Sequence, residues 1–373
     1  MMKVSYSAIQ TFLTCRAKYG FKYRDGLRPI RSSPHFEVGS IIHAAYEPIL
    51  TAHWRGENLP SADSAVREGC KQLREKRGMS LDSEEHAQTA VKALEYHVPR
   101  MRLESWETLT FEDRPAVELE LLVPFGGEDT HLQAHIDWVA RSRQNGKVFI
   151  VDHKTSKHRM SDQGWIEHDL QLALYRKACA LAGIETDGAL LHQLCYTPPS
   201  PVKPLKKAGK DGRRFSVAKS QRTDWETYQN ALITAGEDPE KYLDIRDMLD
   251  DQCAKSPFRR WAPDITTPEG YARMIEIAES AVDSMRAIKY GGAPAQRSRV
   301  GEWSCGRCEM KPWCNATMLG LDPRSLILSV YKPDDDSPFA GLDPSDNLDA
   351  LKLYNDMTSH MRRYDVHQWS PHT

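Results

Sequence analysis

Several features are missing from this sequence, and each absence removes a class of protein. No apolar run approaches the ~20 residues needed to cross a bilayer, and the opening MMKVSYSAIQ lacks the apolar centre of a secretion signal. A cytoplasmic location without membrane partners is the expectation. No G-x-x-x-x-G-K-(S/T) phosphate loop occurs, so a nucleotide-driven motor is not expected within this chain. No internal repeat is visible. Charge of one sign is lacking too: 50 Lys and Arg against 52 Asp and Glu leave a net −2. Attraction to a polyanion would therefore come from local patches.

What is present is ordinary for a folded protein. The chain has 373 residues, 40% hydrophobic and 27% charged, enough for a substantial core in one large or two smaller domains. Its eight cysteines are unevenly spaced. In a reducing compartment such cysteines are not a disulfide framework, which turns attention to metal ligation.

Patterning divides the chain into five stretches. Residues 1–110 read as helical, with amphipathic segments at Ser5–Tyr23, Gly39–Trp54, Ala62–Lys76 and Ser83–Trp106. Residues 111–200 read as an α/β core. Val117, Leu119, Leu121 and Val123 alternate with acidic residues, and strands at Leu132–Ala140 and Val148–His153 flank a turn at Gln144-Asn145-Gly146 to make an antiparallel meander. A helix over Asp162–Ala182 and a strand over Gly188–Tyr196 follow. Residues 201–300 hold a basic loop and helices at Asp224–Ala235 and Pro268–Ile288, and residues 301–322 hold a cysteine cluster. Residues 323–373, with an expected helix from Ser345 to Arg362, carry no assignable chemistry.

The chemistry concentrates at Ile150-Val151-Asp152-His153-Lys154-Thr155. Side chains alternate on a strand, so Asp152 and Lys154 share a face, while His153 points away and offers only its backbone carbonyl. Asp137 ends the preceding run, and a hairpin could bring the two aspartates together as a hard oxygen site for Mg²⁺ or Mn²⁺. Lys154 would add a positive charge able to orient water and offset charge on a phosphate. D-x-K alone is common and also fits a solvated strand end. Downstream, Gln171 and Tyr175 fall one helical turn apart; upstream, Gly39-Ser40-Ile41-Ile42-His43 sets a histidine one turn after a glycine.

Taken in order, G-x-x-x-H, I-D, V-D-x-K-T and Q-x-x-x-Y resemble the PD-(D/E)XK nuclease superfamily. Its RecB/AddB-like and CRISPR-associated RecB-like exonuclease branch is the one they suggest. The opening Ser5-Tyr6-Ser7-Ala8-Ile9 with Cys15, and Tyr19 to Tyr23, resemble the same group. The resemblance implies a restriction-endonuclease-like core: a mixed central sheet flanked by helices, with a helical N-terminal part and a C-terminal iron–sulfur region. It also implies a metal held by His43, Asp137 and Asp152, which the His153 carbonyl is free to approach, a water-assisting Lys154, and positioning by Gln171 and Tyr175. Glu118 stands where relatives often carry an acid, although strand alternation alone explains it.

Cys305, Cys308 and Cys314 form a C-x2-C-x5-C run. The resemblance nominates Cys15 as the fourth ligand of a 4Fe-4S cluster; spacing alone suits structural zinc equally. Cys70, Cys179, Cys195 and Cys253 read as small buried hydrophobes. Lys203, Lys206, Lys207, Lys210, Arg213 and Arg214 gather in one loop that could track a phosphate backbone or be merely solvated. Lys255, Arg259 and Arg260 with Phe258 and Trp261 could pair phosphates and stack bases, or be an amphipathic packing segment.

The expected function is thus a DNA exonuclease, with a separate helicase or recombination protein as a conceivable partner. The alternatives are an iron–sulfur DNA-binding subunit with little cleavage, and a structure-specific endonuclease.

Overall fold

The computed structural model describes residues 1–29, 34–77, 83–127, 129–157, 169–209, 211–218, 221–254, 258–264, 266–290, 305–306, 308–318, 330–335, 337–338 and 340. The helix expected from Ser345 to Arg362, the start of the helix expected from Asp162, and the side chains of Lys210 and Lys255 lie outside them.

The chain begins β1 (Met2–Val4), α1 (Tyr6–Thr14), α2 (Arg16–Tyr19), β2 (Leu27–Pro29), α3 (Pro34–Arg55), α4 (Ala62–Arg77) and α5 (Glu84–His97). Its middle runs β3 (Trp106–Thr108), β4 (Thr110–Phe111), β5 (Arg114–Pro115), β6 (Val117–Pro124), β7 (Thr130–Ser142), β8 (Val148–Ser156), α6 (Leu170–Leu181) and β9 (Gly188–Cys195). Then come α7 (Trp225–Thr234), α8 (Leu243–Ala254), β10 (Arg259–Pro263), α9 (Pro268–Tyr290), α10 (Lys311–Met318) and β11 (Tyr331–Pro333). Among the described residues no helix is long and apolar enough to cross a membrane.

These elements form two compact units that do not follow the linear division of the sequence. One gathers Met1–Ser32, Phe125–His131 and Glu276–Thr373; the other comprises Ser33–Pro124 and Leu132–Ile275.

The larger unit is built on a mixed sheet in which β7, β8, β9 and β10 are neighbours in that order, with β3 and β6 also pairing with β7. β7 and β8 are antiparallel, β8 and β9 parallel, β9 and β10 antiparallel. The parallel pair needs a crossover, which α6 supplies. Ile41, Ala45 and Ile49 of α3, Val66 and Leu73 of α4, and Ala90 and Leu94 of α5 share one buried cluster with Trp138, Val151 and Leu194 of the sheet. Burying each large aliphatic side chain is worth about 1.5–3 kcal/mol, so this three-helix layer fixes α3 against β8. A second cluster joins Phe215, Tyr228, Tyr242 and Leu249 around α7 and α8.

In the smaller unit, Leu27, Met310, Trp313 and Tyr331 pack together, β2 and β11 pair antiparallel, and the Tyr331 hydroxyl donates to the Glu309 carbonyl at 2.9 Å.

Two sequence expectations change. The helix expected through Ser5–Tyr23 is broken at Cys15, whose φ of −156° is extended; α1 ends before it and α2 begins after it. The helix expected to reach Trp106 stops at His97. Pro99 opens a 3-10 turn, Arg102 takes a left-handed φ of 50°, and Trp106 begins β3. Of the two readings left open for Phe258 and Trp261, the structure favours the packing segment. Phe258 is fully buried, β10 completes the sheet, and Trp261 stacks on Trp106 with ring centroids 5.5 Å apart.

Candidate metal centre

The site grows from the place where β7 and β8 part. Their antiparallel pairing runs from Arg141 with Val148 to Trp138 with Val151, and the next residue outward on each strand is an aspartate, Asp137 and Asp152. Beyond the last pair, the His153 backbone N–H donates to Asp137 Oδ2 at 2.6 Å. A side-chain carboxylate thus takes over from the backbone ladder.

Strand alternation puts Asp152 and Lys154 together, with Lys154 Nζ 2.8 Å from Asp152 Oδ2. α6, capped by the Asp169 carboxylate accepting from the Gln171 backbone N–H, turns Gln171 toward them. The Gln171 amide then does three things. Its oxygen accepts from Lys154 Nζ at 2.5 Å; its nitrogen donates to Asp152 Oδ1 at 2.9 Å and to the Tyr175 hydroxyl at 2.8 Å.

Two further ligand-type residues arrive from other elements. α3 brings His43, whose Nδ1 lies 3.4 Å from Asp137 Oδ2. Glu118 arrives through a break in strand geometry, its φ of 45° lying in the left-handed region inside β6. That conformation costs a non-glycine residue about 1–2 kcal/mol and reaims its side chain. One ligand atom each of His43, Glu118 and Asp137 lie within 4.8 Å of one another. Two carboxylate oxygens and an imidazole nitrogen fit a hard divalent cation.

The electrostatics are those of buried ionisable groups crowded together. Burial and the nearby Asp137 push the Asp152 carboxyl up to about 7 despite Lys154. Burial also works against ionisation of Asp137, but His43 and the His153 N–H outweigh it and hold that carboxyl near about 2. His43 is raised: burial opposes its charge, and Asp137 overcomes it. Lys154, likewise desolvated, is raised by Asp152.

A model of the PD-(D/E)XK nuclease superfamily matches residues 3–315 of this chain. The chain belongs to that superfamily. No curated protein sequence matches it.

The superfamily's D-x-K strand is β8, and the residues expected from the sequence around it, His43, Asp137, Asp152, Lys154, Gln171 and Tyr175, are neighbours in the larger unit. The His153 ring leaves on the opposite face, as alternation requires, and is buried there. Sequence reasoning passed over its partner there, His192. A histidine inside the apolar strand Gly-Ala-Leu-Leu-His-Gln-Leu-Cys was the available signal.

Within the smaller unit, Cys15, Cys305, Cys308 and Cys314 line one cavity of about 60 Å³ with Phe21 and Met310, and none of the four is in a disulfide among the described residues. The helix break at Cys15 frees that residue from the α1 repeat. Cys70, Cys179 and Cys195 are buried, in keeping with the reading as small hydrophobes.

The basic loop is less positive than its sequence suggests. Arg213 is held by Asp244 at 2.7 Å and Asp211 at 3.1 Å, and Arg214 stands 3.5 Å from Glu237. Lys203, Lys206 and Lys207 are exposed and make no ion pair among the described residues. Arg259 and Arg260 are engaged too: Arg259 donates to the Arg100 carbonyl at 2.8 Å and Arg260 to Gln193 at 2.7 Å.

Proposed function

We propose that this PD-(D/E)XK protein is a Mg²⁺- or Mn²⁺-dependent DNA exonuclease of the RecB-like type, carrying a 4Fe-4S cluster. The observation that carries the reading is the convergence of Asp137, Asp152, Lys154 and Gln171 at the parting of β7 and β8, with His43 and Glu118 beside them.

His43, Asp137 and Asp152, with Glu118 and the His153 carbonyl, would hold the cation. When bound, it supplies charge that polarises the phosphodiester and acidifies a water. The other roles fall to the chain itself. Lys154 keeps its ammonium charged through Asp152 and presents it beside the reacting phosphate, where it offsets developing negative charge and orients the attacking water. Gln171 braces Lys154 and Asp152 at once, and Tyr175 anchors Gln171. Lys203, Lys206 and Lys207 would follow the DNA backbone, narrowing the contact expected from the six-residue basic run to the cations not already paired with carboxylates or outside the described residues.

Cys15, Cys305, Cys308 and Cys314 would ligate the cluster. Four thiols around one small cavity suit it, and its contribution is to tie distant stretches of chain together. A helicase or recombination partner would deliver DNA ends, since no motor motif is present in the sequence.

The test is cleavage of end-labelled linear and closed circular DNA, single- and double-stranded, with Mn²⁺, by anaerobically purified protein and by Asp152→Ala and Lys154→Ala. Cleavage of linear substrates alone, lost in both variants, is expected. Cleavage of circles would favour an endonuclease, and no cleavage at all would favour a binding subunit.

A further inference from the structure

The face of β8 opposite the metal centre carries a structure that the proposed chemistry leaves unexplained. His153 and His192 are register partners in the parallel β8–β9 ladder, both nearly fully buried, with their Nδ1 atoms 3.0 Å apart. The His153 ring lies flat on Tyr46 of α3, centroids 4.5 Å apart at 19°. The His192 ring lies flat on Trp261 of β10, 4.1 Å apart at 12°. Two imidazoles are thus clamped between two aromatic rings. Two ring nitrogens 3.0 Å apart hydrogen-bond only when one carries a proton and the other is bare.

One nitrogen fixes the tautomers. Among the described residues, His153 Nε2 is buried without a hydrogen-bond partner. A buried N–H left unmade is the rarer and costlier arrangement, so Nε2 is the bare nitrogen and the His153 proton sits on Nδ1. His153 Nδ1–H therefore donates to His192 Nδ1, and His192 carries its own proton on Nε2. The residue so fixed is the one whose backbone N–H holds Asp137 at 2.6 Å.

We propose that His192 is a positioning residue for the metal centre: by accepting the His153 Nδ1–H bond, it fixes His153 and through its backbone the Asp137 carboxylate. The inference rests on the reading of Asp137 as a metal ligand. His192 touches neither metal nor substrate; it acts as a partner once removed from the coordinating atoms, a position whose loss commonly costs about 10–100-fold in metal affinity.

Three variants of the full chain test this, with Mn²⁺ affinity measured by titration and folding by circular dichroism. His192→Phe keeps a flat ring for Trp261 and removes the acceptor; it should weaken Mn²⁺ binding about tenfold or more while the protein stays folded. His192→Asn sets a polar atom near the Nδ1 position and should recover most of that loss. Asp137→Ala should weaken binding at least as much as His192→Phe. Wild-type affinity in His192→Phe, or equal loss in His192→Asn, overturns the inference. Wild-type affinity in Asp137→Ala overturns instead the reading on which it rests. A measurement on the unaltered protein is independent of whether the variants fold. Nitrogen-15 spectra of the imidazoles should show His153 protonated on Nδ1 and His192 on Nε2, with the His192 resonances moving when Mg²⁺ is added. The reverse tautomers, or resonances blind to Mg²⁺, contradict it.

Discussion

A Cβ built on Gly39 would stand 2.7 Å from the hydroxyl oxygen of Thr155. α3 approaches the end of β8 that closely because position 39 has no side chain, and His43, one turn further along α3, reaches Asp137 from there. Gly39→Ala inside an exposed helix would ordinarily gain about 1 kcal/mol of stability. Here the opposite sign is expected, a loss of about 1–3 kcal/mol from overpacking, together with weaker Mn²⁺ binding. Adding Thr155→Ala should restore much of both, and urea denaturation of the four proteins of this cycle measures the coupling.

Glu118 should show the reverse trade. Its left-handed backbone at φ 45° costs stability that glycine would not. Glu118→Gly is expected to raise the metal-free urea midpoint by the equivalent of about 1 kcal/mol and to weaken Mn²⁺ binding. A variant that is less stable than wild type would show that the conformation is not strained.

Metal binding should release protons on the acid side of neutrality. Asp152, pushed to about 7, and His43, raised by Asp137, must both shed a proton before they can serve as ligands. Both groups are protonated well below pH 7, so apparent affinity rises with pH and levels off once both have ionised. Calorimetry in buffers of different ionisation enthalpy at pH 6 should register about one to two protons released per Mn²⁺, falling toward none at high pH. A pH-independent affinity would contradict this.

Gln171 braces two charged groups through one amide. Gln171→Ala should leave the fold intact, since its partners stay in place through the 2.8 Å Lys154–Asp152 contact. Cleavage should nevertheless fall about 10–100-fold, the usual scale for losing an orienting partner. Gln171→Glu, which keeps an acceptor for Lys154 but sets a carboxylate against Asp152, should be at least as damaging.

The cysteine cavity makes a compositional prediction. Anaerobically isolated protein should carry about four iron and four sulfide per chain, and Cys308→Ser should lose most of both and unfold at a lower temperature. One tightly bound zinc per chain would decide for the other metal.

Much of this was legible in the sequence because it depends on short periods. Period two puts Asp152 and Lys154 on one face of β8, and a helical turn puts Gln171 and Tyr175 on one face of α6. What escaped depends on partners far apart or on breaks in the period. Glu118 was named from the resemblance, but its left-handed backbone was not, because a left-handed residue inside a strand leaves no compositional trace. Arg259 and Arg260 looked like a basic surface until β10 paired them against β9, and Arg213 looked free because Asp244 lies 31 residues away. The bond between His153 and His192 spans 39 residues and two strands, so no local rule relates them.

The smaller unit draws on residues 1–32, 125–131 and 276 onward, with the whole larger unit threaded between them. During synthesis the larger unit therefore has all its residues first. Cys15, made before the larger unit, waits some 290 residues for Cys305, Cys308 and Cys314 to leave the ribosome. Any truncation before Cys305 would strand Cys15 alone, and neither end of this chain can be trimmed to yield the smaller unit as an independent piece.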